Sequence, residues 1–251
     1  MAWDEPTLEP WDSFGQEIYA YWKGDSDAVE IIERDDGLID VSSGPGSYFA
    51  PFDQWPPQQQ SAMAYVRGRV LDVGSGAGRI ALHLQEQGHE VVSIDVSPLA
   101  LEVCRRRGVQ DARLLSITQA NARLGVFDTV ILMGNNFGLF GNARRARWLL
   151  RRWLVMTTPK ARIIAETLDP YQTDNPEHLA KHAQNRRRGR MGGQVRIRVR
   201  FRKSIGPWFD YLFVSREEMG DILNGTGWHI GQTLDSDGPS YVAILEKDAD
   251  S

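Results

Sequence analysis

The stretch Leu71-Asp72-Val73-Gly74-Ser75-Gly76-Ala77-Gly78-Arg79 constrains this chain more than any other. The run Arg69 to Val73 reads as a short buried strand, and Arg79 to Gln87 as a helix ended by Gly88. Glycines alternate between them, as where a chain must turn tightly and leave its backbone open to close approach. The helix after the turn offers free N–H groups toward a ligand. Ligands of parallel sheets built from such units bind outside the carboxyl ends of the strands.

The unit repeats. Glu90 to Asp95 reads as the second strand, and Ser97 caps a helix that has Pro98 at its first position and runs from Leu99 to Arg107, before Gly108. Strands are expected at Ala112–Leu115, Thr129–Met133 and Ala161–Thr167, with a helix from Arg144 to Val155. Strands alternating with helices imply a parallel sheet with right-handed crossovers. After Asp169 the pattern changes. A helix is expected from Pro176 to Asn185, and strands at Gln194–Lys203 and Trp208–Val214. Ser215 with Glu218 makes a capping box for a helix to Leu223. A last hairpin, Trp228–Leu234 and Tyr241–Glu246, turns at Asp237-Gly238. Ahead of the core we expect a helix at Ser13–Trp22, a hairpin over Val29–Val41, a loop over Gly44–Pro57 and a helix over Gln58–Tyr65. The chain divides into 1–65, an N-terminal lid segment; 66–170, the binding core; 171–214, an insert with basic antiparallel strands; and 215–251, the C-terminal part of the core sheet.

At 251 residues and 41% hydrophobic content the chain can bury a core without staples. It has one cysteine, Cys104, so no internal disulfide forms. No secretory signal and no apolar stretch of membrane-spanning length is visible, and the expected location is cytoplasmic with no membrane partner. The charge is uneven. Residues 1–40 hold twelve acidic and two basic side chains, while residues 181–203 hold ten Lys or Arg and no acid.

Asp95 ends the second strand, 17 residues after Gly78. A carboxylate there can accept hydrogen bonds from both hydroxyls of a ribose and would repel a 2′-phosphate. The turn is Gly-x-Gly-x-Gly with an acid two positions before the first glycine, unlike the Gly-x-Gly-x-x-Gly of nicotinamide-dependent oxidoreductases. Together, Asp72-x-Gly74-x-Gly76-x-Gly78 and Asp95 resemble the signature of class I S-adenosylmethionine-dependent methyltransferases, and Phe127-Asp128-Thr129-Val130 resembles that family's entry to its fourth strand. The resemblance implies an α/β fold: a doubly wound, seven-stranded, mainly parallel sheet with an antiparallel last strand, Rossmann-like, here with an N-terminal segment and an antiparallel hairpin insert as a lid. It implies S-adenosylmethionine as cofactor and S-adenosylhomocysteine as product. Gly74, Ser75, Gly76 and Gly78 would line the methionine and ribose. Asp72 would orient the amino group, Asp95 would hold the ribose and Val96 would pack on the adenine. Gly134 and Asn135 would lie near the methyl. Where the family often places an acid for the adenine amine, this sequence has Ser116, with Ile117 beside it.

The run Met133 to Gly141 carries two adjacent asparagines at a strand end, costly to bury unpaired. It lacks the Pro-Pro-aromatic motif of adenine-N6 DNA methyltransferases. The weak catalytic candidates are Tyr48, Asn136, Tyr171 and His178; none has a spacing that singles it out. Arg196, Arg198, Arg200 and Arg202 alternate with apolar residues and would share one strand face. They either bind phosphate or pair with the acidic hairpin Glu30, Glu33, Asp35, Asp36; the matched opposite charge favours pairing. Cys104 reads as a buried helix residue, the arginines of residues 144–152 as a solvated helix face, and no metal site is expected. The favoured reading is methyl transfer to a small-molecule acceptor. The alternatives are an RNA methyltransferase using strand 194–203 and a non-catalytic cofactor-binding module. Nucleic acid is not the favoured partner, and a homo-oligomer stays open.

Overall fold

The computed structural model describes residues 5–42 and 44–249. In chain order its helices are α1 (Ser13–Trp22), α2 (Gly46–Phe49), α3 (Pro57–Met63), α4 (Arg79–Glu86), α5 (Pro98–Arg107), α6 (Ala143–Trp153), α7 (Pro176–Arg187) and α8 (Arg216–Leu223). Its strands are β1 (Ile31–Arg34), β2 (Ile39–Val41), β3 (Val70–Val73), β4 (Val91–Asp95), β5 (Ala112–Leu114), β6 (Phe127–Leu132), β7 (Thr157–Leu168), β8 (Gln194–Phe201), β9 (Ser204–Ile205), β10 (Phe209–Leu212), β11 (Trp228–Asp235) and β12 (Ser240–Lys247).

Seven strands form the main sheet in the order β11-β12-β7-β6-β3-β4-β5. The pairs among β3 to β7 are parallel, and β12 runs antiparallel to both of its neighbours. This is the doubly wound sheet with an antiparallel last strand that the sequence implies. Every position of β3 and β4 is buried, as strands covered on both faces require. Chain order reverses beside β3, with β4 and β5 on one side and β6 and β7 on the other. The crevice at such a reversal opens at the carboxyl ends of the strands. The local signals act as expected at α5: the Ser97 hydroxyl accepts the Ala100 N–H at 3.0 Å, Pro98 opens the helix and Gly108 closes it.

A second, antiparallel sheet joins the two segments outside the core. Its order is β10-β8-β1-β2, with β9 paired to β8. The acidic hairpin therefore lies beside the arginine strand of its own chain. Arg198 holds Glu33 through two bonds of 2.9 Å, Arg200 reaches it at 3.3 Å, and Lys181 meets Asp35 at 2.6 Å. Arg202 pairs with Asp25. Helix α1 packs between this sheet and α5.

Three local expectations are corrected. The segment 44–57 is not plain loop: α2 and a 3-10 turn at Phe52–Gln54 form there, each led in by a proline, and Trp55 is buried. Strand β7 starts at Thr157, four residues before the expected Ala161, because the exposed Pro159 and Lys160 interrupt the apolar run that marks the strand in the sequence. Arg202 leaves the arginine row, because β8 ends at Phe201 and Arg202 turns with φ 54°. Among the described residues no helix is long and apolar enough to cross a membrane.

Candidate functional site

Strand β3 delivers the glycine turn to the crevice. Gly74 and Gly78 take φ of 73° and 79°, which L side chains rarely adopt. A Cβ at Gly74 would stand 2.5 Å from Asn136 Nδ2, and one at Gly78 would stand 2.7 Å from Val109. Both collisions are with the chain itself, so packing demands these glycines before any ligand does. Asn136 explains the first. Its amide donates to the carbonyls of Val73 and Gly74, each at 2.9 Å. The candidate catalytic amide is thus spent holding the turn.

Two acids flank the turn. Asp95 accepts the Gly76 N–H at 3.0 Å on one oxygen and the Ser97 N–H at 2.9 Å on the other, joining the turn to α5. Burial raises its carboxyl above the ordinary value, partly offset by those backbone donors. Asp72 is 2% exposed, and its Oδ2 has no hydrogen-bond partner. Burial first, and the nearby Asp95 charge second, push it up to about 7. An unpaired buried carboxylate oxygen is costly, and a cationic donor beside it would remove that cost.

A third acid is held by a relay that sequence reasoning did not assemble. The Gln59 amide donates to both oxygens of Glu166 at 2.9 and 2.8 Å, and the Gly134 N–H donates to Glu166 at 2.6 Å. Arg79 donates to Gln59 Oε1 at 2.7 Å and lies 4.7 Å over the Trp55 ring. An arginine in the first turn of a helix opposes the helix dipole, which is the one signal in the sequence that something else holds it. Above Gly134 the space is open.

The other expected residues fall into groups. Ser75 is buried beside Cys104, whose own burial raises its thiol to about 12. Val96 is 59% exposed at the end of β4, and Ser116 and Ile117 follow the end of β5 next to it. The Ser116 hydroxyl bonds Thr118 at 2.8 Å. Asn135 turns with φ 64°, and its side-chain oxygen is buried without a partner. Its carbonyl accepts the Tyr211 hydroxyl at 2.6 Å. Tyr48 and Phe14 lie across Gly76, within 4.0 and 3.6 Å of where a Cβ would be. Tyr171 and His178 are not gathered here. The Tyr171 hydroxyl bonds Glu218 in the cap of α8, and His178 sits on α7 against Thr173.

Residues 70–159 match the family described as "Methyltransferase domain". A glycine/sarcosine N-methyltransferase of Parasynechococcus marenigrum is 37% identical over 94 residues, 35% of this chain and 33% of that protein. A ubiquinone biosynthesis O-methyltransferase of Methylocella silvestris is 32% identical over 88 residues, 33% of this chain and 32% of that protein. The chain thus spans about a third of the length of the curated relatives it matches. A SAM-dependent methyltransferase from Bacteroides fragilis, crystallised with S-adenosyl-L-homocysteine, matches in fold over 96% of this chain and 97% of its own, with a TM-score of 0.80 at 24% identity. That likeness of fold takes in the second sheet as well as the first.

Proposed function

We propose that this protein, whose residues 70–159 match the methyltransferase domain family, is a class I S-adenosylmethionine-dependent methyltransferase that binds its cofactor at the glycine turn and passes the methyl group in line to a small-molecule acceptor. The carrying observation is the pair of buried acids, Asp72 with an orphaned oxygen and Asp95 already tied to two backbone donors. The residues present suit the group. The orphaned Asp72 oxygen fits an ammonium, and the remaining lone pairs of Asp95 fit ribose hydroxyls. Exposed Val96, with Ser116 and Ile117 beyond it, fits a flat base. Gly74, Ser75, Gly76 and Gly78 form the turn that the ligand meets, and Gly134 and Asn135 bound its far side.

When bound, S-adenosylmethionine supplies a methyl group already activated on sulfur. The protein's share is then mainly orientation and the exclusion of water. Asn136 keeps the turn in shape, Arg79 and Gln59 keep Glu166 in place, and Tyr48 and Phe14 cover the turn. Coverage by aromatic side chains supports an acceptor of modest size over a polymer. The arginines of β8 that meet Glu33 are engaged within the chain, which lends no support to an RNA substrate.

Calorimetric titration with S-adenosylhomocysteine tests the reading. Saturable binding is expected to the wild type, with no heat from NADH or NADPH. Asp95→Ala should weaken it at least about tenfold, the scale of losing charged hydrogen bonds to a ligand. Binding of a nicotinamide cofactor instead would overturn the proposal.

A further inference from the structure

We propose that Glu17 and Glu30 form the acceptor subsite and that the acceptor is an amine, held there as its ammonium ion; this rests on the reading of the glycine turn as the S-adenosylmethionine site. Phe14, Glu17 and Tyr21 stand at helical spacing on one face of α1. Phe14 meets the glycine turn, 3.6 Å from the place of a Gly76 Cβ, and Tyr21 packs on Phe49 of α2 with ring centroids 5.0 Å apart. Glu17 lies between them along α1, and its charge reaches Tyr48 of α2. The Tyr48 hydroxyl donates to Glu30 at 3.4 Å, and its ring packs edge-on against Phe14 at 5.4 Å. The pair therefore adjoins the turn where the methyl would be presented.

Glu17 is fully buried and Glu30 is 5% exposed. Among the described residues the Glu17 carboxyl has no partner besides Glu30, with which it shares a hydrogen bond between the two carboxyls and one from the Glu30 backbone. The groups that act on the two carboxyls are each other, from α1 and from the residue before β1, and Tyr48 from α2. Tyr211 of β10 also feels the Glu30 charge. Among the described residues none of the groups shifting either acid is basic. Burial first, and the neighbouring Glu30 second, push Glu17 up to about 8. With nothing bound, the pair therefore keeps a proton at neutral pH.

Such a pair is costly to a fold and has no structural counter-ion. An ammonium supplies what is missing: a positive charge and up to three N–H donors, where an alcohol brings one donor and no charge. The same acids suit the chemistry. The ammonium gives one proton to a carboxylate, which frees the nitrogen lone pair. That pair forms the new bond to the methyl carbon as the electrons of the carbon–sulfur bond leave on sulfur, and the methylated nitrogen takes over the positive charge. Likeness to relatives does not choose the acceptor atom, since one is named for nitrogen and the other for oxygen.

The test uses the full chain saturated with S-adenosylhomocysteine. A panel of small primary and secondary amines is screened by ligand-observed NMR beside the alcohol and carboxylic acid of each skeleton. Amines should be retained over their alcohols, and Glu17→Gln and Glu30→Gln should each weaken retention at least about tenfold, with S-adenosylhomocysteine affinity unchanged within about twofold. Infrared difference spectra should show a protonated-carboxyl band that disappears on amine binding and is missing in Glu17→Gln. Preference for alcohols or acids, equal retention by the wild type and both variants, or no amine retained while S-adenosylhomocysteine binds would each overturn the inference. A wild type that does not bind S-adenosylhomocysteine overturns instead the reading on which the inference rests.

Discussion

The shape of the glycine turn depends on Asn136, a residue 62 positions away from Gly74, through two donated hydrogen bonds. An amide can make both and a carboxylate can make neither, because the turn presents only carbonyl oxygens. Asn136→Asp keeps the size of the side chain but sets a negative group against two acceptors. Asn136→Ala only leaves those acceptors unpaired. Asn136→Asp should therefore cost more than Asn136→Ala, which should cost about 1–3 kcal/mol in denaturant unfolding. The order should repeat in S-adenosylhomocysteine affinity. Equal effects from the two variants would mean that the amide's donors are not what holds the turn.

At the scale of elements, local chemistry was legible and long-range pairing was not. The cap at Ser97, the box at Ser215 and Glu218 and the run of β6 all announce themselves within a few residues, because caps and periodicity act locally. The Asp72 and Asp95 part of the candidate site could be read for the same reason, since Asp95 ends its strand and Asp72 stands one residue before the end of its own. Gln59 and Glu166, separated by 107 residues, carry no mutual signal until the fold brings them together. Glu17 likewise looks like one acid among twelve in its segment, and only its burial distinguishes it. The pairing of β1 with β8 lies between these cases. Opposite net charge pointed to contact, but only the register sets Glu33 opposite Arg198. The Glu33 side chain is 17% exposed and that of Arg198 25%, so solvent screens the pair in part. Glu33→Ala should cost about 1 kcal/mol in urea unfolding, shrinking as salt is added. A loss that does not respond to salt would assign the effect to packing.

For the whole molecule the question is whether the cap and the core are one cooperative unit, and Asp12 is where they are joined. One oxygen of its carboxylate caps α1 through the Gly15 N–H at 3.0 Å. The other accepts the Ser97 hydroxyl at 2.9 Å and the Leu99 N–H at 3.1 Å, at the start of α5. Fit there is close, since a Cβ on Gly15 would stand 2.3 Å from the Ser97 hydroxyl. One side chain thus caps α1 of the N-terminal segment and satisfies the first turn of α5, the helix that follows Asp95. Asp12→Ala removes all three bonds and leaves a buried N–H of α5 unpaired, a cost of about 2–3 kcal/mol. Hydrogen exchange then distinguishes two behaviours. If the N-terminal segment opens by itself, the variant should lose protection in α1 while β3 and β4 keep theirs, because the main sheet buries its own core. S-adenosylhomocysteine should bind more weakly to that variant and restore protection to α1, since a ligand stabilises the state that encloses it. We expect this outcome, because α1 meets the core chiefly through α5 and the glycine turn. Loss of protection in α1, β3 and β4 together would instead make the N-terminal segment part of the folding core, because the two would then open only as one cooperative unit.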